Sequence, residues 1–151
     1  MSTPPPARLA RPDLRGRPHQ LTVERDMNAS PAALYKAWTE AFDTWFAAPG
    51  AIRMRAQEDE PFYFETEHEG ERFPHYGRFL TLKRDELIEL TWVTGMHGTG
   101  GAETVVTVEL TPTDTGTRIR LTHAGFYDDE AAKQHEVWSS ILAMLDERCG
   151  F

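Results

Sequence analysis

His123 and His135 are the residues in this sequence whose types and spacing most invite chemistry. His123 follows Ile119 and Leu121 at two-residue steps, so the three share one face of an extended segment. His135 precedes Trp138 by three residues, and on a helix those two also share a face. An imidazole held against an apolar wall has its pKa lowered and stays neutral, with one ring nitrogen donating and the other accepting. Such a group can orient the polar head of a ligand or shuttle a proton. No third member of a hydrolytic triad accompanies either histidine, and a core histidine tied to a backbone carbonyl is the plainer account of each. Arg25 is in phase with Leu21, Val23 and Met27 and is the third inward polar candidate. Its planar fork suits a ligand carboxylate or, more simply, a carboxylate of the protein itself.

Aromatic residues surround these candidates in the pattern. Trp92 is in phase with Ile88 and Leu90, Phe62 and Phe64 share a strand face, and Trp38, Trp45 and Phe46 lie on a helical stretch that ends at Pro49-Gly50. With Leu121, His123, His135 and Trp138 they form the candidate ligand-binding set. A pocket of this lining would hold a small apolar or amphipathic molecule in roughly 300 to 1,000 Å³. Trp45 and Phe46 are expected at its mouth, where a loop would gate access.

Other motifs carry less. The glycine-rich segment 94–101 joins two strands, lacks a Gly-Lys-Ser/Thr ending and opens no helix, so it reads as a hairpin connection, not a phosphate loop. Glu67, His68, Glu69 and Glu71 are turn charges more readily than metal ligands. His135-Glu136 lacks the second histidine of a zinc-protease helix. Cys149 is the one cysteine and lies on a helical apolar stripe, so it reads as a packing residue. No catalytic residue, metal or cofactor is assigned.

The elements that must position these residues are legible in the periodicity. Leu21, Val23 and Met27 alternate with polar residues as a strand. Ser30-Pro31 then starts a helix, because serine accepts from a free backbone N–H and proline gives up one that has no partner. Its apolar face runs through Leu34, Trp38, Phe42 and Trp45 with a break near Thr39 and Glu40. Six strands follow, at 52–56, 62–68, 76–83, 87–94, 103–111 and 117–124, punctuated by Gly70, Arg84-Asp85, the 95–101 loop and 114–116. From 128 to 148 there is no Pro or Gly, and His135, Trp138, Leu142, Leu145 and Cys149 recur at helical steps. The fold class is α+β: a curved antiparallel sheet in the order β-αα-β6-α wrapped around a long C-terminal helix.

This order resembles the helix-grip superfamily called START-like, Bet v 1-like or SRPBCC, and more narrowly a stand-alone bacterial domain similar to the C-terminal domain of the activator of Hsp90 ATPase. The residues that carry the resemblance are Met27-Asn-Ala-Ser-Pro-Ala-Ala-Leu-Tyr-Lys-Ala-Trp38 after Arg25, the Trp45-Phe46 pair, Gly77-Arg-Phe79 and Leu90-Thr-Trp92. It continues through 104–110, Gly116-Thr117, Leu121-Thr-His-Ala-Gly-Phe126, and His135-x-x-Trp138 with Leu142 and Leu145. The resemblance implies a helix-grip domain over 19–151 whose function is to bind a small hydrophobic molecule between its helix and its sheet. It also implies two alternatives: a cyclase- or dehydratase-like enzyme using a cavity histidine as acid or base, and an Hsp90-type co-chaperone or stress-response interaction module. No N-terminal companion domain precedes the pattern, which argues against the chaperone partner.

Length and charge bound the rest. The 151 residues fit one domain. Residues 1–18 lack an apolar block and hold Pro4, Pro5, Pro6 and Pro12, so they are expected to be a disordered tail that contributes nothing to the core. Four arginines against one aspartate make that tail +3, which from a net −8 leaves the body at −11. An acidic body repels phosphate backbones, and nucleic acid is excluded as a partner. No apolar run approaches the roughly 20 residues of a membrane span, and the composition is that of a cytoplasmic protein. A homodimer stays open.

Overall fold

The computed structural model describes residues 12–40, 52–55, 57–94, 102–128 and 138–149. Within them β1 (His19–Met27) leads to α1 (Pro31–Thr39), followed by β2 (Ile52–Arg53), β3 (Pro61–His68), β4 (Glu71–Lys83), β5 (Leu87–Trp92), β6 (Thr104–Pro112) and β7 (Thr117–Phe126), and the chain closes with α2 (Trp138–Cys149). The strands form one curved seven-stranded sheet in the order β1-β7-β6-β5-β4-β3-β2. Every neighbouring pair is antiparallel.

Register turns the alternation of each strand into one continuous apolar face. Ile119, Leu121 and His123 of β7 lie opposite Leu110, Val108 and Val106 of β6. Val108 and Val106 in turn lie opposite Ile88 and Leu90 of β5. All of these are buried, and α2 covers them with Trp138, Leu142 and Leu145, while Ile141 and Met144 pack at the margin. Removing such a face from water is the main favourable contribution to folding, at roughly 25 cal/mol per Å² of apolar surface.

The start of α1 is built as expected: the Ser30 hydroxyl accepts from the Ala33 N–H at 3.1 Å and Pro31 occupies the first turn. The helix ends at Thr39, and the second member of the expected helical pair lies outside the described residues. So does the expected first part of the C-terminal helix, before Trp138.

Three expectations change. β4 begins at Glu71 instead of 76, because the β3–β4 hairpin extends through Pro74, which pairs with Glu65. Proline is tolerated there because β5 pairs with β4 only from Phe79 onward, apart from one bridge at Tyr76, so the second side of the strand needs no ladder N–H at that point. Arg25 lies opposite Ile119 as its phase requires, but it is exposed. β1 is the edge strand, and a long cationic side chain on an edge reaches water instead of losing its hydration. Finally, the end of the expected tail is not free of the body. Arg17 donates through Nη1 to the carbonyls of Glu103 (2.8 Å) and Gly125 (2.9 Å).

One contact ties the two ends of the core together. The Asp146 carboxylate of α2 is buried and accepts from the Asn28 N–H at 2.8 Å, the Ala29 N–H at 3.3 Å and the Asn28 side-chain amide at 3.3 Å. It therefore satisfies the backbone donors exposed where β1 turns into α1. On the other side of that turn Thr117 donates to the Ala29 carbonyl at 2.8 Å, and Gly116 lies so close that a Cβ on it would stand 2.1 Å from the Met27 carbonyl. Asp146→Ala should lower stability by about 3 kcal/mol, since it leaves buried donors without an acceptor. Asp146→Asn keeps one acceptor oxygen and should cost about 1 kcal/mol. Urea midpoints of the two variants check the order; equal losses would mean that packing, not the acceptor, holds the joint.

Candidate functional site

The core divides along the sheet. Ile88 and Leu90 of β5 with Val106, Val108, Ile119 and Leu121 of β6 and β7 make its aliphatic part, and rings gather on β3 and β4, at Trp92 and at the His123–Phe126 end of β7. His75 of β4 stacks on Phe64 at 4.7 Å with 12° between the planes and meets the Trp92 ring edge-on at 5.3 Å. Trp92 contacts Trp138 of α2 at 5.3 Å, and Trp138 contacts Trp38 of α1 at 5.9 Å. Phe62 joins Phe64 at 6.1 Å and Phe79 at 5.3 Å. Room for the Phe62 ring comes from its partner across the hairpin, Gly77: a Cβ there would lie 2.5 Å from the ring. The rings thus form an unbroken band from β3 across the sheet to both helices.

A hydrogen-bonded chain runs through this band. An indole N–H can only donate, so the 3.1 Å contact from Trp138 Nε1 makes His123 Nδ1 an acceptor. The neutral imidazole then carries its proton on Nε2, which donates to Thr104 Oγ1 at 2.7 Å. The Thr104 hydroxyl donates in turn to the Trp92 carbonyl at 2.6 Å. The direction of every bond follows from the indole, and the imidazole is locked in one tautomer. His123 is fully buried and also packs on Phe126 at 4.6 Å. An imidazole with both nitrogens engaged cannot accept or release a proton without breaking this chain.

His75 is the second buried imidazole. Burial pushes its pKa from the ordinary 6.5 down to about 4, opposed by the bond that Nδ1–H donates to the Phe73 carbonyl at 3.1 Å. It is neutral in any ordinary cellular setting. The described band therefore presents rings, two neutral imidazoles and one hydroxyl. Among the described residues no group of three or more His, Cys, Asp or Glu could hold a metal ion.

Of the residues singled out from sequence, Trp38, Phe62, Phe64, Trp92, Leu121, His123 and Trp138 are all buried in the one core. Trp45, Phe46 and His135 lie outside the described residues. Sequence reasoning missed His75, Phe79, Thr104 and Phe126. Thr104 was readable, being in phase with Val106 and Val108; His75 was hidden behind Pro74. The structure also holds an open groove of about 630 Å³ between 30–32, the 84–86 turn and 110–112. Its walls are largely turn and strand-end residues, and it touches no member of the aromatic band.

The depressed His75 pKa has a consequence for stability. Below about pH 6.5 the unfolded chain takes up a proton that the folded chain refuses until about pH 4. The contribution of this residue is therefore complete above pH 6.5 and is lost as pH falls through that window, by an amount on the order of 3 kcal/mol. His75→Phe keeps the ring stack without the titration. Denaturant unfolding at a series of pH values should show a shallower loss for the variant between pH 6.5 and 4; identical slopes would place the acid sensitivity elsewhere.

Comparison with known proteins agrees with this architecture. The family described as activator of Hsp90 ATPase homolog 1-like protein matches residues 28–150. No protein of curated function matches the sequence. Among solved structures, a protein from Chromobacterium violaceum is similar at 20% identity and a TM-score of 0.74, covering 89% of this chain and 99% of its own. A Rhizobium loti protein shares 23% identity with a TM-score of 0.71, over 86% of this chain and 96% of that one. The Aha1 dimer from Colwellia psychrerythraea shares 17% identity with a TM-score of 0.67, over 88% and 97%. These identities support the shared fold, and the family match covers most of the sequence. The chain belongs to the activator of Hsp90 ATPase homolog 1-like family.

Proposed function

We propose that this protein binds a small hydrophobic or amphipathic molecule between its C-terminal helix and its sheet, in the aromatic part of the core. The observation that carries the reading is the segregation of the core. Ile88, Leu90, Val106, Val108, Ile119 and Leu121 make one aliphatic stretch, whereas rings spaced 4.6 to 6.1 Å apart run from Phe62 and Phe64 of β3 through Trp92 and Trp138 to His123 and Phe126 at the end of β7. Stacked rings leave planar slots and re-pack by rotation about two side-chain angles, so they can make room for a flat apolar guest. Trp38, Phe62, Phe64, Trp92, Leu121, His123 and Trp138 are the proposed walls, with Trp45, Phe46 and His135 proposed at the mouth. His123 and Thr104 supply the polar contact for a ligand head when the bond between them opens.

A histidine-dependent enzyme is the weaker reading, because the two nitrogens of His123 are already engaged with Trp138 and Thr104. An interaction with an Hsp90-type ATPase draws support from the family description. It predicts ATPase stimulation without any guest in the core. A homodimer is proposed by likeness to the Colwellia protein, which is described as a dimer, and sedimentation equilibrium reads it directly.

An apolar fluorescent dye should bind the protein, and Leu121→Trp should weaken that binding more than about tenfold by occupying volume while the fold persists. His123→Phe should weaken hydroxylated or acidic ligands more than plain hydrocarbons, because only the former lose a hydrogen-bond partner. Titration calorimetry with a matched pair of ligands checks this. Undiminished dye binding by Leu121→Trp would move the site out of the core.

A further inference from the structure

The segment 13–17 lies over the polar end of the aromatic band. The Arg17 N–H closes a turn onto the Leu14 carbonyl at 2.9 Å. From that turn a single guanidinium nitrogen, Nη1, spans two strands, bonding the carbonyl of Glu103 just before β6 and that of Gly125 near the end of β7. The same guanidinium lies 5.8 Å from the centroid of the Tyr127 ring, a residue otherwise 67% exposed. Leu14 covers Gly125, whose φ of +106° and missing side chain let the chain pass: a Cβ there would stand 2.9 Å from the Leu14 methyl and 3.3 Å from the Thr104 Cα.

The position matters more than the contacts themselves. Glu103 adjoins Thr104, and Gly125 is two residues from His123, so Arg17 staples the strand ends that carry both members of the His123–Thr104 bond. The Trp138 indole hangs on the same His123. If the staple opens, β6 and β7 can part at this end, Thr104 can leave His123, and the edge of the Trp92–Trp138 contact faces solvent. Asp13 and Arg15 pair with each other at the surface and add no bond to β6 or β7; beside the staple the turn contributes the Leu14 contact on Gly125.

From this arrangement we infer that residues 13–17 are a latch on the aromatic core, and that release of Arg17 admits a guest at the His123–Thr104 end. The admission step rests on the ligand-binding reading above; the latch does not. A strand-end staple of two hydrogen bonds from a charged donor is a local element, so its loss should raise local opening without unfolding the whole.

Arg17→Ala tests both parts in the full chain. By NMR, hydrogen exchange of the Trp138 indole N–H and of the Thr104 and Gly125 amides should accelerate at least about tenfold, while the Ile88 and Val108 amides stay as in wild type. The association rate of the apolar dye anilinonaphthalene sulfonate, read by stopped flow, should rise by a similar factor. Unchanged exchange at Trp138 overturns the latch. Equal acceleration at Ile88 and Val108 also overturns it, because the effect is then global. Faster local exchange with an unchanged dye association rate overturns the admission route. If the dye binds neither form, the ligand reading falls, and the exchange data still decide the latch: local acceleration supports it and none overturns it.

Discussion

A buried tryptophan has one polar atom and needs one acceptor, and here that acceptor is an imidazole on the far strand of the core. The bond from Trp138 to His123 fixes more than two side chains. It sets the tautomer of His123, which sets the direction of the bond to Thr104, which in turn holds the Trp92 carbonyl at the end of β5. Helix α2 and strands β5, β6 and β7 are thereby keyed to one another at a single depth. Dispersion and burial would let the helix slide along an apolar sheet at little cost; a directional bond inside a low-dielectric core does not.

Asp146 does the corresponding work at the other end of α2. Its carboxylate gathers the donors of Asn28 and Ala29 and so locates the β1–α1 joint beneath the helix. The helix is pinned by one polar contact near its start and another near its end, with Leu142 and Leu145 packed between them. The two pins differ in kind. The Asp146 contact lies in the aliphatic part and binds backbone, which suits permanence, while the His123 contact lies among rings and binds side chains that can turn.

Most of this architecture was legible in the sequence because it follows from local pattern. The Ser30-Pro31 helix start, the inward phase of Ile119, Leu121 and His123, and the apolar stripe from Trp138 to Leu145 need only the periods of strand and helix. What stayed hidden depends on residues that meet across the fold. His75 belongs to the site because β3 pairs with β4 beyond Pro74, and a proline in a strand reads as a stop until the unpaired side of that strand is known. Arg25 has the right phase and the wrong depth, since phase does not reveal that β1 is an edge. Arg17 looked like one more charge on a polar tail; its acceptors are 86 and 108 residues away. Asp146 sits beside the apolar stripe, and no spacing announces a carboxylate that caps a distant turn.

The position of β1 also dictates an order of assembly. Strands β2 to β7 pair with their sequence neighbours as a meander, so each can find its partner as soon as it has been synthesised. β1 cannot: its partner is β7, about a hundred residues later, and the donors at its end wait for Asp146 in the last helix. On the ribosome β1 is therefore secured only after β7 has been made, and until then it presents an unpaired edge with half-apolar character. The acidic Glu24 and Asp26 on its outer face, later bound to Arg118, repel like copies during that interval. The charges that decorate the finished sheet thus guard the unfinished one.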